Sequence, residues 1–271
     1  MTDSRLYGYT PQELVAWQPP KYRYVIDKAV FIDNGSLLIY GEQETWKSML
    51  ALHTTFTIAS GRDWFGYKVF PRSVYSFQSE IPQLFQRERM IKYMTGNIQT
   101  ANNLFLCSEL YLKIDQGWGF SEIERELKRT GAKVLIIDPI YTSVSINLIE
   151  DYQIRQFLDR MNMLRSRYNI SLVLIHHTRQ AEGVEGTKYH YGPEDIFGGS
   201  TFPRWFDTII YVEKQGEDED NNTVDLKLRF EKTRNAEGKL KDIELRGFRE
   251  NLTIMRRDVI DVAELGIMPK M

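Results

Sequence analysis

The stretch Leu37-Leu38-Ile39-Tyr40-Gly41-Glu42-Gln43-Glu44-Thr45-Trp46-Lys47-Ser48-Met49-Leu50-Ala51-Leu52 decides the fold. A short apolar run leads through a polar loop into an amphipathic stretch, which is the pattern of strand, loop and helix. Gly41, with Lys47 and Ser48 six and seven residues on, keeps the spacing of the phosphate-binding motif G-x-x-x-x-G-K-[ST]. In such a loop the backbone N–H groups wrap the β- and γ-phosphates at a helix start, the lysine adds a mobile charge and the hydroxyl binds Mg2+. The candidate nucleotide-binding residues are therefore Gly41, Glu42, Gln43, Glu44, Thr45, Trp46, Lys47, Ser48 and Met49. Trp46 stands where the motif has its second glycine, and a bulky residue at positive φ costs about 1–2 kcal/mol. The loop thus requires Trp46 in an ordinary allowed conformation, with its indole turned from the phosphates and packed beneath the loop.

The spacing alone arises by chance in roughly one chain in ten of this length, so its surroundings decide its meaning. Val134–Ile137 followed by Asp138 is a buried strand ending in a carboxylate aimed at a magnesium shell, making Ser48 and Asp138 the candidate metal ligands. The run Val74–Phe77 leads to Glu80, the best placed base for orienting a water. Leu172–Ile175 ends in His176-His177, adjacent histidines that face opposite ways along a strand. His177 is favoured as a γ-phosphate sensor and His176 as a core or hydrogen-bonding residue, with the reverse assignment open.

Further candidate strands are Thr208–Val212, Val224–Phe230 and Ile243–Leu245, the last two forming an antiparallel extension. Helices are expected at Pro11–Trp17, Lys47–Ser60, Pro82–Met94, Ser121–Thr130 and Tyr152–Tyr168, with a Ser121/Glu124 capping box opening the fourth. Strands alternating with helices define an α/β fold with a mainly parallel sheet. Gln180–Ser200, with five glycines, is too long for an ordinary connection; Lys188 and Tyr189 in it offer phosphate contact and base stacking. The expected organisation is an irregular lead-in or packing arm over 1–30, an ATPase domain over 31–258 and a tail over 259–271.

The balance of 35 basic against 37 acidic residues, net −2, excludes a global basic field, so any nucleic-acid contact must come from local patches or an assembled ring. The single cysteine, Cys107, excludes an intramolecular disulfide and a cysteine-based zinc cluster. With no apolar run near the roughly 20 residues needed to span a bilayer and no signal-peptide layout, a cytoplasmic location without membrane contact is expected.

GEQETWKSMLAL, SFQSE with IPQ, LIIDP, LIHHTRQ, GGSTFPRWFDTIIYVEK and LRFEKTRN together resemble the RecA-like P-loop ATPases, most closely the RepA-type hexameric replicative helicase group, over roughly residues 20–250. The resemblance implies a RecA-like twisted sheet flanked by helices. It implies ATP and Mg2+ as cofactors, with Glu80 as catalytic base, Lys47 and Ser48 as Walker A residues, Asp138 as Walker B aspartate and His176-His177 as the double-histidine motif. Lys232 and Arg234 match a late-strand pair that acts in trans on a neighbour's nucleotide, which implies a homo-oligomer, a ring or filament with ATP sites between subunits, a hexameric ring being favoured. Single-stranded DNA is the implied partner and a helicase or translocase motor the implied activity. An ATP-switched scaffold, loader or regulator of the same fold is the alternative. No appended primase or separate DNA-binding domain is expected.

Overall fold

The computed structural model describes residues 8–18, 24–96, 102–179, 192–198 and 200–264. A short helix α1 (Pro11–Ala16) comes first, opened by a capping box between Thr10 and Glu13. An antiparallel pair follows, β1 (Tyr24–Ile26) and β2 (Phe31–Ile32). Then come β3 (Ser36–Gly41), α2 (Lys47–Ser60), β4 (Val74–Gln78), α3 (Gln83–Gly96), β5 (Leu104–Ser108), α4 (Gly117–Thr130), β6 (Val134–Asp138), α5 (Ile140–Ser143), α6 (Asp151–Tyr168) and β7 (Ser171–His177). The chain continues through α7 (Thr201–Trp205), β8 (Thr208–Asp218), β9 (Thr223–Thr233), β10 (Ile243–Phe248), β11 (Thr253–Arg256) and α8 (Arg257–Glu264).

One sheet runs in the order β11-β10-β9-β8-β3-β7-β6-β4-β5. The strands from β8 to β5 are mutually parallel, and β9, β10 and β11 extend the sheet antiparallel beyond β8. This is the expected RecA-like α/β architecture with its antiparallel C-terminal extension. Both faces are covered, which is why the central strands read as unbroken apolar runs. Leu37, Ile39, Ile136 and Val173 pack on one face with α2 and the β1–β2 pair. Leu38, Leu135, Leu172 and Leu174 pack on the other with α4 and α6.

Several elements differ from the sequence reading. β5 has no residue deeply buried, so it lacks the strong apolar signature of the central strands. β1 lies within the stretch read as irregular, yet Val25 and Ile26 are fully buried. Helix α4 begins at Gly117, and Ser121 is inside it, donating to Gly117 O rather than capping. Of the two glycines that hid this start, Gly119 serves close packing, since a Cβ there would lie 2.1 Å from Lys113 O, while Gly117 faces open space. β8 runs well past its apolar segment, and its outer half pairs with β9 alone, which in turn pairs with β10. Most of the Gln180–Ser200 connection, with Lys188 and Tyr189, lies outside the described residues, as do Pro19, Pro20 and Gly199.

The extension is fastened to the phosphate-binding loop by one side chain. The Trp46 ring lies on Gly247 of β10 so closely that a Cβ there would fall 2.5 Å from its Cζ3, and the Arg249 guanidinium sits over the indole at 5.8 Å. Gly247→Ala is therefore expected to destabilise the fold by about 1–3 kcal/mol, the usual cost of overpacking. In a Trp46→Ala background, denaturant unfolding should show that cost reduced by at least half, the remainder reflecting Val224 Cγ1 at 2.9 Å.

Candidate active site

Parallel register brings the candidate residues to one edge. Gly41 at the end of β3 is level with His177 of β7, and Gln78 at the end of β4 is level with Asp138 of β6. Ligands of open α/β sheets bind at this carboxyl edge. Gly41 is required by close approach, since a Cβ would fall 2.5 Å from Val212 O. Beyond it Glu44 (φ 60°) and Trp46 (φ 61°) both take left-handed backbone. The expectation that Trp46 would avoid this region is thus corrected: the loop keeps the geometry its glycine would have, and the packing of the indole on Gly247 and Arg249 offsets the local cost. No side chain caps α2. Its first-turn N–H groups therefore face the loop as an anion site.

Lys47 folds back into the loop, donating to Glu42 O and to Thr45 Oγ1 at 3.2 Å. Burial pushes its ammonium down to about 8 against the pull of Asp138, Glu80 and Glu42. Ser48 Oγ donates to Asp138 Oδ1 at 3.1 Å. The Asp138 carboxyl is buried and pushed up to about 6 by desolvation, with the Ser48 hydrogen bond opposing. A hydroxyl beside an undersolvated carboxylate fits a divalent cation that takes its remaining ligands from phosphate and water, as Mg2+ does. Among the described residues no cluster of three or more His, Cys, Asp or Glu could hold a metal unaided.

Glu80 lies on the rim, its pKa raised by partial burial and lowered by Lys47 and Arg89. His177 Nε2 stands 4.0 Å from Glu80 Oε1. Burial and the Lys47 charge push the imidazole down to about 4, so at pH 7 the contact is polar rather than ionic. His176 points the other way into the core, its Nε2 2.5 Å from Phe197 O and its ring against Phe202. Lys47, Ser48, Asp138, Glu80 and His177 all line one cleft of about 940 Å³. Lys232 and Arg234 do not. They lie where β9 pairs with the start of β8, at the opposite edge of the sheet, reaching the last carbonyls of α7 and, for Arg234, Asp207.

Two residues that sequence reasoning missed belong here. Gln78 donates to Asp138 Oδ2 at 3.2 Å and accepts the Glu80 N–H at 2.6 Å, so one buried amide sets the spacing of both carboxylates. Its place next to Glu80 at a strand end was the available signal. Arg89, on α3, lines the cleft within the electrostatic reach of Asp138 and Glu80. Nothing in the sequence marks it, because its position depends on how α3 packs.

A phosphate-binding loop beside paired strand-end carboxylates, at the carboxyl edge of this sheet, defines a RecA-like P-loop ATPase. A family model described as an AAA domain matches residues 5–183, and the chain belongs to that family. Among solved structures, the KaiC-like protein PH0186 from the hyperthermophilic archaeon Pyrococcus horikoshii OT3 is similar at 16% identity and a TM-score of 0.56, covering 83% of this chain and 90% of that one. The ATPase domain of a further protein is similar at 13% identity and a TM-score of 0.61, covering 83% of this chain and 85% of that one. At these identities the likeness is one of fold. No curated protein matches. No helix among the described residues is long and apolar enough to cross a membrane.

The buried histidines set an acid limit on stability. His53, His176 and His177 are pushed by burial to about 4, 3 and 4, below the ordinary value of 6.5. Their contribution is complete above pH 6.5 and lost as pH falls toward those values, while Asp138, raised to about 6, acts in the opposite sense between about 4 and 6. Near pH 5 unfolding should take up about two protons net. Thermal unfolding midpoints measured without nucleotide should therefore fall steadily from pH 6.5 to 4, with a slope shallower by about one proton in His176→Gln.

Proposed function

We propose that this chain is a Mg2+- and ATP-dependent motor acting on single-stranded DNA in replication or recombination, in the cytoplasm, as a homo-oligomeric ring. The observation that carries the reading is the convergence of Lys47, Ser48, Asp138, Glu80 and His177 on one cleft at the end of an uncapped helix. Lys47 and the loop N–H groups neutralise and hold the phosphates, and positioning with charge neutralisation is most of what phosphoryl transfer needs. Ser48 and Asp138 would hold Mg2+, which when bound would neutralise phosphate charge. Glu80, its proton affinity raised by burial, orients the attacking water and accepts its proton. Neutral His177 donates from the ring to the γ-phosphate and reports its presence.

Lys232 and Arg234 are directed away from their own cleft, which supports their acting on the nucleotide of an adjacent subunit, and the family resemblance favours a hexameric ring with such sites between copies. Near-zero net charge means that DNA contact depends on local cations such as Arg204 brought together by the ring. The ATPase domain spans residues 31–258 in this reading, with residues 1–30 as an arm and 259–271 as a tail.

ATP hydrolysis by wild type, Lys47→Ala, Glu80→Gln and Arg234→Ala, each with and without single-stranded DNA, tests the proposal. Lys47→Ala is expected to lose binding and turnover. Glu80→Gln should bind ATP normally while kcat falls at least a hundredfold, and Arg234→Ala should poison mixed assemblies with wild type. Absence of ATP binding by the wild type would sink the nucleotide reading altogether. Turnover indifferent to DNA would favour an ATP-switched scaffold.

A further inference from the structure

Glu80 stands two residues past the end of β4, where the chain has left the sheet ladder. Its side chain is 41% exposed, and its carboxylate Oε1 is 4.0 Å from His177 Nε2. The aim of so exposed a group is inherited from the backbone that carries it. Gln78 holds that backbone on the cleft side, through the Glu80 N–H. Ser79, the residue between them, is buried. Successive residues of an extended segment face opposite ways, and the Ser79 hydroxyl turns from the cleft toward α5.

There Ser79 Oγ meets Pro139 O at 3.2 Å, Thr142 Oγ1 at 2.7 Å and Ser143 Oγ at 2.8 Å. Ser143 Oγ in turn donates to Pro139 O at 2.6 Å. One proton per hydroxyl completes a continuous chain, in which Thr142 donates to Ser79, Ser79 to Ser143 and Ser143 to the Pro139 carbonyl. The main chain repeats the link, because the Ser79 N–H donates to Asp138 O at 3.0 Å. α5 is held a second time by the segment between β5 and α4: Ser143 O accepts the Ile114 N–H at 2.8 Å, and Thr142 O accepts from Lys113 Nζ. Burying these hydroxyls adds little net stability, since each hydrogen bond mostly offsets the desolvation of its partners. What the cluster adds is direction, because linked hydrogen bonds in a buried setting stiffen one another.

We propose that Ser79 is a positioning residue for Glu80: its hydroxyl clasps the chain just before the carboxylate to α5 and so sets where Glu80 stands relative to Asp138 and Ser48. The inference rests on the reading of Glu80 as the base and adds a residue that acts through it. Gln78 and Ser79 then hold the Glu80 backbone from two sides, one through the Asp138 carboxylate and the other through α5.

ATP hydrolysis, equilibrium ATP binding and thermal unfolding of Ser79→Ala, Thr142→Val, Glu80→Gln and the double variant Thr142→Val/Glu80→Gln test the clasp. Thr142 is only half-buried and valine keeps its shape, so this variant carries the test if Ser79→Ala does not fold. The expected result is unchanged ATP affinity with kcat lowered about tenfold or more in both single variants, the scale on which a small misplacement of a reacting group acts. Because the clasp acts through Glu80, the double variant should turn over no more slowly than Glu80→Gln alone. Weaker ATP binding at unchanged kcat, wild-type kcat in Thr142→Val, or a full further loss in the double variant would each overturn the positioning role and leave Glu80 as the base. Absence of turnover in the wild type, or full turnover by Glu80→Gln, would remove the base and the positioning role with it.

Discussion

The cleft depends on the parallel register of β3, β7, β6 and β4. Because β3 ends level with β7 and β4 ends level with β6, with β7 running on past the end of β6, Gly41, His177, Asp138 and Gln78 arrive at one edge although they come from segments far apart in the chain. The strands are held in register by side chains buried on both faces, so slipping any one of them by a residue would exchange its two apolar faces and withdraw its terminal group from the cleft. Site geometry and core packing are in this sense one constraint.

Within that frame the site is electrostatically incomplete. Lys47 and Asp138 are both buried enough to be pushed toward their neutral forms, and the lysine satisfies itself on the loop that a phosphate would occupy. A bound phosphate would add an opposite charge beside Lys47, beyond what Asp138, Glu80 and Glu42 already supply. The strain is local and shared, since Gln78 ties Asp138 to the backbone of Glu80 and a shift of one carboxylate moves the other.

The antiparallel extension is part of the same arrangement. Through Gly247 and Arg249 it supports the one side chain that breaks the loop motif, and it adds Arg249 to the cleft wall beside Lys214 and Glu217 of the outer half of β8. Glu217 pairs with both cations there, at 2.6 Å to Arg249. Exposed ion pairs of this kind are weak, so these partners exchange readily. Trp46 is therefore a structural substitution with its counterpart elsewhere in the chain: a large residue in the loop, and a glycine on the strand that receives it.

Local pattern was enough for the α/β class, the phosphate-binding loop, the strand ending in Asp138 and the antiparallel extension, because burial on both faces writes unbroken apolar runs and loop chemistry needs fixed spacings. The half-buried edge strand β5, the start of α4 and the β1–β2 pair were illegible, since their residues answer to neighbours remote in sequence rather than to a local period. The left-handed Trp46 could not be read from its own position, because what offsets its cost is the absence of a side chain at residue 247, 201 positions away. Gln78 and Arg89 likewise gained their place only from packing, and Lys232 and Arg234 were brought to the opposite edge by the antiparallel run of β9 against β8. Sequence determined which chemical groups the chain carries at its strand ends; tertiary structure decided which of them meet, because their distances depend on the register of the sheet.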